Sequence, residues 1–111
     1  MLNTEELLKK VAEKTGEFMI WLVSLSHQRY GYVRYMFEFE NRRLSDESRF
    51  NIYLVICDIM THKKLGELLV MWEDKPNEFT FRENWPRPNE FVEMLDEEIN
   101  NTEIEYKCQK D

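Results

Sequence analysis

Two apolar runs within residues 50–73 constrain the fold more than any other stretch of the chain. They are rich in β-branched and aromatic residues, and the polar break Thr61-His62-Lys63-Lys64 separates them. This pattern predicts an antiparallel hairpin with a four-residue loop. In the second run apolar residues alternate with residues such as Glu67 and Glu73, which is typical of a half-buried strand.

The first run is apolar on both of its alternating faces. One face carries Phe50, Ile52, Leu54, Ile56 and Met60, and the other carries Tyr53, Val55 and Ile59. A strand with one buried face alternates apolar and polar residues, whereas a strand buried on both faces does not. The first run therefore predicts a central strand that is covered on both sides.

A helix is predicted before the sheet. Asn3 followed by Glu6 is typical of a capping box, and an apolar stripe follows at helical spacing. Gly16 is suited to end this helix. Residues 17–26 fit either a continued helix or a strand. Their aromatic and β-branched content, directly after the glycine, favours the strand.

The remaining segments complete the sheet and add a second helix. Residues 29–41 alternate as a strand does, residues 42–48 form a polar connector, and a short strand is predicted around residues 79–81. The bridge Trp85-Pro86-Arg87-Pro88 is rigid, and Trp85 is expected to anchor the second helix to the sheet. That helix is predicted from about residue 88 to residue 101. Its apolar positions are Phe91, Val92, Leu95 and Ile99, and a last short strand is predicted at Ile104, Tyr106 and Cys108.

These elements predict an α+β fold with an N-terminal helix, an antiparallel meander sheet of about five strands, and a C-terminal acidic helix packed on the sheet. The length of 111 residues fits a single domain over residues 1–111. The early acids Glu5 and Glu6 do not fit a signal peptide, and the apolar run at residues 18–23 is too short to cross a membrane. Cys57 and Cys108 fit the reduced thiols of a cytoplasmic protein, with a disulfide between them as the open alternative.

Charge is distributed unevenly along the chain, which carries a net charge of −7. Residues 1–66 hold ten basic and nine acidic residues, whereas residues 67–111 hold five basic and thirteen acidic residues. The negative charge therefore belongs to the last two-fifths of the chain. Between residues 88 and 106 there are seven carboxylates and no Lys or Arg: Glu90, Glu93, Asp96, Glu97, Glu98, Glu103 and Glu105.

Two interpretations of this acidic helix stay open. Glu90, Glu93 and Glu97 line one helical face, with Asp96 beside them, and like charges four residues apart destabilise a helix slightly. The simpler interpretation is a solvated outer face. The functional interpretation is a surface for a strongly basic partner, such as a nucleic-acid-binding groove, in which carboxylates stand where phosphates would.

A second motif is Arg29-Tyr30-Gly31-Tyr32-Val33-Arg34-Tyr35. It resembles the RNP1 strand of RNA-recognition motifs, with one glycine missing after Arg29. The resemblance implies aromatic side chains on which bases stack. The order of elements differs from that family, which places a helix between its two RNA-binding strands, and an acidic protein disfavours phosphate contacts. Direct nucleic-acid binding is therefore not expected.

No catalytic, metal or cofactor motif is recognisable. His27 and His62 lie in or near predicted loops without zinc-ligand spacing, and no nucleophile elbow, P-loop or dinucleotide turn is present. Glu38 and Glu40 share a strand face, as any acidic strand allows by chance. Asp58 is expected to pair with Lys63 or Lys64. We expect no enzyme activity and no cofactor.

The leading hypothesis is a small acidic protein-binding module that inhibits, neutralises or chaperones a basic partner through the second helix and the tail. An inhibitor of a nucleic-acid enzyme and an immunity protein against a toxin both fit. Two alternatives stay open: a small-molecule-binding or regulatory domain, and a dimer that resembles secretion chaperones. The sequence is compatible with a monomer or a homodimer.

Overall fold

The computed structural model describes residues 3–43, 49–86 and 88–109, with residue 88 and residues 103–109 described by their backbone only. The elements in chain order are helix α1 (Thr4–Tyr30), strands β1 (Tyr35–Arg43), β2 (Phe50–Asp58), β3 (Lys64–Lys75) and β4 (Glu78–Phe81), and helix α2 (Pro88–Gln109). The strands form one antiparallel sheet in the order β1-β2-β3-β4. The predicted α+β architecture is confirmed, with four strands in the described residues where about five were expected.

Helix α1 begins where the sequence predicts and ends much later. The Glu6 backbone N–H donates to Asn3 Oδ1 at 2.8 Å, and the Asn3 N–H donates to Glu6 Oε2 at 3.4 Å, which completes the capping box. The helix continues through Gly16 and is closed by Gly31, whose φ of 80° is left-handed. The expected stop at Gly16 and the expected strand over residues 17–26 are therefore wrong.

Tertiary packing explains why the helix continues. A buried stripe runs along the whole of α1 at helical spacing: Leu7, Val11, Thr15, Leu22 and Ser26. Leu22 is fully buried and lies beyond the glycine. A glycine inside a helix costs only about 1 kcal/mol relative to alanine, whereas full burial of a leucine side chain contributes about 1.5–3 kcal/mol. The core contacts therefore outweigh the local preference at Gly16.

The β2–β3 hairpin is confirmed, and His62 in its loop is left-handed at φ 62°. The loop spans residues 59–63 where residues 61–64 were expected, so Ile59 and Met60 belong to the loop and Lys64 to β3. Strand β1 begins at Tyr35, six residues later than predicted, because the preceding residues close α1. The predicted connector at residues 42–48 is only partly described, since Arg42 and Arg43 belong to β1 and residues 44–48 lie outside the described residues. The last short strand predicted at residues 104–108 is wrong, because α2 continues to Gln109.

Both helices pack on one face of the sheet, where the core forms two adjoining clusters. The cluster nearer α2 contains Leu22, Tyr35, Ile56, Leu65, Phe91, Val92, Leu95 and Ile99. The cluster nearer the start of α1 contains Leu7, Val11, Ile52, Leu54, Leu68, Val70 and Met71. The alternation of β2 directs Ile52, Leu54 and Ile56 to the helices.

The opposite face of the sheet, which we call the open face, carries Met36, Glu38, Glu40 and Arg42 of β1 and Tyr53, Val55 and Cys57 of β2. Val55 and Cys57 are buried there but belong to neither core cluster. Longer side chains shield this face, since the Arg42 guanidinium lies 4.2 Å from the centre of the Tyr53 ring. The prediction that the central strand is covered on both sides therefore holds, with helices on one face and long side chains shielding Val55 and Cys57 on the other.

Two glycines provide a matched test of this description of α1. Gly16 lies inside the helix, and a Cβ added there meets no atom within 4 Å. Gly16→Ala should therefore stabilise the protein by about 0.5–1 kcal/mol, because alanine restricts the unfolded chain and favours the helix. Gly31→Ala should destabilise it, because the residue has a φ of +80°. Urea unfolding measures both, and a destabilising Gly16→Ala would contradict a continuous helix.

Candidate functional site: the acidic face of the second helix

The rotation of α2 about its axis is fixed by its buried side. Phe91, Val92, Leu95 and Ile99 are at most 7% exposed, which confirms the predicted apolar positions. The helix crosses β3 at Gly66, where an added Cβ would lie 2.9 Å from Met94 Cε and 3.3 Å from Leu95 Cδ2. The missing side chain at Gly66 thus permits a close approach of helix and strand. The opposite side of α2 must consequently face outward.

That outward side carries most of the predicted acidic residues. Glu90, Glu93 and Glu97 are exposed, and Glu98 is partly buried. Glu93 and Glu97 are four residues apart on one face, and neither forms an ion pair within the described part of the chain. Glu103 and Glu105 lie on the backbone of α2, but their side chains are outside the described residues. We call the exposed set Glu90, Glu93 and Glu97 the acidic face.

Asp96 differs from its neighbours because it contacts α1. Its carboxylate pairs with the Arg29 guanidinium, and Tyr30 Oη donates a 2.5 Å hydrogen bond to Asp96 Oδ1. Residue 96 follows the buried Leu95 and lies three residues before the buried Ile99, so its position turns it toward the first helix. This position next to the apolar stripe is the sequence signal that separates Asp96 from Glu93 and Glu97.

The protonated Tyr30 hydroxyl supports this contact between the helices. Partial burial raises the pKa of Tyr30 above its ordinary value of 10.0, and the hydrogen bond to Asp96 raises it further. The phenol therefore remains a proton donor to Asp96 throughout the neutral range. Asp96 serves to join α2 to the end of α1, which leaves the acidic face to residues further round the helix.

The motif that resembles RNP1 is not an aromatic platform. Arg29 and Tyr30 form the last turn of α1, Gly31 closes it, and Tyr35 is only 2% exposed. Among Tyr30, Tyr32 and Tyr35, Tyr32 is the most exposed, at 41%. The segment ends a helix instead of forming a strand of exposed aromatic side chains, and its side chains connect α1, β1 and α2.

A buried ion pair lies at the centre of this connection. Arg34 Nη2 donates to Asp58 Oδ2 at 3.2 Å, and the two side chains are 5% and 0% exposed. The Arg34 backbone N–H donates to Ser26 Oγ at 2.8 Å, and the Ser26 hydroxyl donates to the Tyr32 carbonyl at 3.1 Å. Asp58 therefore has an arginine partner that the sequence interpretation missed, since Arg34 lies 24 residues away in the chain.

The Tyr35 hydroxyl is buried in the cluster nearer α2 and has no hydrogen-bond partner among the described residues. Burial raises the pKa of Tyr35 to about 12, and the negative charge of Asp96 adds to the shift. A buried hydroxyl that makes no hydrogen bond destabilises the folded state relative to water. The residue packs as an aromatic side chain in the core cluster nearer α2.

Trp85 joins the linker before α2 to the first helix. Its ring stacks on Phe18 at 5.1 Å between centroids and 14° between planes, and Phe18 lies 5.6 Å from Phe91 of α2. Trp85 also packs against the core cluster that contains β2 and β3 residues. The expected anchoring role of Trp85 thus acts through α1, with Phe18 as the link to the second helix.

Other kinds of site are not evident in the described residues. No three His, Cys, Asp or Glu side chains in the described ranges come together in a way that could hold a metal ion. No helix in that part of the chain is both long and apolar enough to cross a membrane. Comparison of the chain with protein-family models, curated proteins and solved structures gives no match. The functional proposal therefore depends on the contacts and charges of the described residues.

Two substitutions near the buried ion pair should have opposite effects. Asp58→Asn removes the buried counter-charge of Arg34 and should cost about 3–5 kcal/mol, because an uncompensated buried charge is strongly destabilising. Tyr35→Phe removes a hydroxyl without a partner and should be neutral or stabilise by up to about 1 kcal/mol. Urea unfolding of both variants measures these effects. A loss above about 1 kcal/mol for Tyr35→Phe would show that its hydroxyl has a partner.

The raised tyrosine pKa values also predict a pH dependence. A tyrosine whose folded-state pKa is raised leaves stability unchanged below pH 10, its ordinary value, and lowers the free energy of unfolding as pH rises from there toward the folded-state pKa, because the unfolded chain releases the proton first. The unfolding midpoint of the wild type should therefore fall steadily above pH 10. Tyr30→Phe should reduce this fall, and Tyr30→Phe combined with Tyr35→Phe should reduce it further. An unchanged slope in the double variant would contradict the assignment to these two groups.

Proposed function

We propose that the protein is a non-enzymatic binding module that docks a basic partner protein on the acidic face of α2. The observation that carries this proposal is the pairing of a buried inner side with an exposed acidic outer side on one helix. Phe91, Leu95 and Ile99 hold the helix in place. Glu93 and Glu97 are consequently presented in fixed positions, and neither forms an ion pair within the described residues.

Electrostatics supports a role in partner encounter. Like charges four residues apart on a helix surface cost a few tenths of a kcal/mol, so the Glu93–Glu97 arrangement does not favour stability. A surface of one charge sign attracts an oppositely charged partner over a distance, and salt screens this attraction within roughly 8–10 Å at physiological ionic strength. The acidic face should therefore act mainly on the association rate.

A basic surface that binds nucleic acid is the kind of partner that matches the acidic face best. Such a surface presents Lys and Arg spaced to meet phosphates, and carboxylates on a rigid helix can occupy the same positions. Binding would then block access of the nucleic acid. An inhibitor of a nucleic-acid enzyme and an immunity protein that neutralises a toxin are two forms of this function.

A charge-reversal pair with a matched control tests the proposal. Glu93→Lys combined with Glu97→Lys reverses the acidic face, and Glu13→Lys combined with Glu17→Lys makes the same charge change on α1. Both pairs are exposed and four residues apart on a helix. The three forms of the full chain are immobilised, and proteins captured from the native host at low and high salt are identified by mass spectrometry.

We expect the wild type and the control pair to capture the same basic protein at low salt, and the α2 pair to lose it. With that protein purified, the α2 pair should associate about tenfold or more slowly at low salt and less so at high salt, while stability barely changes. Equal capture by all three forms would exclude the acidic face. An equal loss in both variants would show that only net charge matters, and no partner at any salt would favour the small-molecule-binding alternative.

A further inference from the structure

Strand β1 is a long edge strand that is neither shortened nor bulged, and charged side chains are its protective feature. It lies at one end of the sheet order and pairs with β2 over nine residues without a register break. The strand contains no proline and no glycine. The other edge strand, β4, has only four residues. Native proteins shorten, bulge or cover their edge strands, because an open edge pairs readily with another chain.

The hydrogen-bond pattern identifies which backbone groups of β1 point away from the sheet. The Ile59 N–H donates to the Arg34 carbonyl at 2.7 Å, and Tyr35 lies opposite Asp58 in the register. Antiparallel pairs alternate between residues that exchange hydrogen bonds and residues that do not. Even-numbered positions of β1 therefore bond to β2, and the N–H and C=O groups of Phe37, Phe39 and Asn41 point to the free edge.

No backbone hydrogen bond from the described residues reaches this free edge. The side chains of Phe37 and Phe39 lie on the helix side, where they pack against the core clusters. The side chains of Glu38 and Glu40 lie on the open face. The edge thus combines outward-pointing backbone groups, an apolar row on one face, and Glu38, Glu40 and Arg42 on the other.

The electrostatics of the open face is negative beside this edge. Arg42 Nε donates to Glu40 Oε2 at 2.8 Å, and the same guanidinium also bonds Glu67. Glu38 is exposed and has no ion pair within the described residues. Burial raises the pKa of the Cys57 thiol, and the charges of Glu38 and Glu40 raise it further. A cation placed beside Glu38 would meet an uncompensated carboxylate.

A second copy of the chain fits this edge poorly in the register that pairs β1 over its full length. Pairing β1 with itself over its full length about a two-fold axis places Phe39 opposite Phe39 of the other copy. Glu38 of each copy then lies opposite Glu40 of the other copy. These are closely spaced positions, because residues at them do not exchange backbone hydrogen bonds. Like charges directly opposite each other in adjacent strands are destabilising. A strand that carries positive charge opposite Glu38 and Glu40 avoids this repulsion.

We propose that β1 accepts a fifth strand from a partner protein, supplied by an extended segment in which Lys or Arg alternates with apolar residues. Its basic residues would lie on the open face beside Glu38 and Glu40, and its apolar residues would extend the row formed by Phe37 and Phe39. Strand addition of this kind takes affinity from backbone hydrogen bonds and specificity from alternate side chains. It is a second binding surface, separate from the acidic face of α2.

Asn41 provides the variant that tests this surface. Its side chain is exposed and its N–H points to the free edge, so Asn41→Pro removes an edge donor without breaking the ladder to β2. Asn41→Ala removes the same side chain and keeps the N–H, which makes it the matched control. Both variants should unfold close to the wild type, because proline is tolerated at such edge positions.

The probe is the blocked peptide acetyl-Lys-Val-Lys-Val-Lys-Val-Lys-amide, with a peptide that has Glu in place of Lys as its control. NMR-detected hydrogen exchange of the full chain should show protection of the Phe37, Phe39 and Asn41 amides when the lysine peptide is added, and none with the glutamate peptide. Asn41→Pro should weaken binding about tenfold or more, and Asn41→Ala no more than about twofold.

Several results would overturn the proposal. Equal binding by Asn41→Pro and Asn41→Ala would show that the edge amide is not used. Peptide-induced changes confined to α2 would assign the binding to the acidic face and leave β1 without a partner strand. Protection of the edge amides before peptide is added, increasing with protein concentration, would show that a second copy occupies the edge. If β1 proves not to accept a strand, the α2 charge-reversal experiment still tests the acidic face, because the two surfaces share no residue.

Discussion

The buried ion pair between Arg34 and Asp58 is the interaction on which the arrangement of the helices depends. It joins the start of β1 to the end of β2, and the Arg34 backbone N–H is bonded to Ser26 on α1. Each of these buried charges would strongly destabilise the fold without the other, so the loop after α1 has few alternative conformations. This fixes the end of α1, and with it the positions of Arg29 and Tyr30 that receive Asp96 of α2.

The orientation of α2 follows from that fixed end. Asp96 is held by α1, and the apolar side of α2 fills the core above β3, so the acidic face turns outward. The open face of the sheet is shielded by its own long side chains, such as Arg42 over Tyr53. The molecule thus presents two negatively charged features, a helix face and a strand edge, that differ in what they offer a partner: carboxylates alone, or carboxylates beside unpaired backbone groups.

Local sequence signals predicted the parts of the fold that depend on neighbours in the chain. The capping box at Asn3 and Glu6, the β2–β3 hairpin and the apolar positions of α2 are all determined by spacings of a few residues. The length of α1 could not be predicted this way, because Gly16 signals an end while the distant core contacts of Leu22 override it. Local spacing also predicts nearby lysines as the partners of Asp58, whereas its observed partner Arg34 is distant in the chain and is brought close by the pairing of β1 with β2.

The candidate site was predictable to a similar extent. The spacing of Glu93 and Glu97 placed them on one exposed face, whereas the role of Asp96 depends on a tyrosine and an arginine more than sixty residues away. The free edge of β1 follows from the strand order, which single-sequence periodicity does not define. Periodicity identifies strands, and only the assembled sheet identifies which of them has an unpaired side.

The most direct measurement is an NMR map of the isotope-labelled chain bound to the basic protein captured at low salt. If α2 is the docking surface, the largest changes should fall on the amides of Glu90, Glu93 and Glu97 and on the turns around them. They should weaken as salt is raised, because screening reduces the attraction between opposite charges. A saturated complex in which the α2 signals are unchanged would contradict the proposed function.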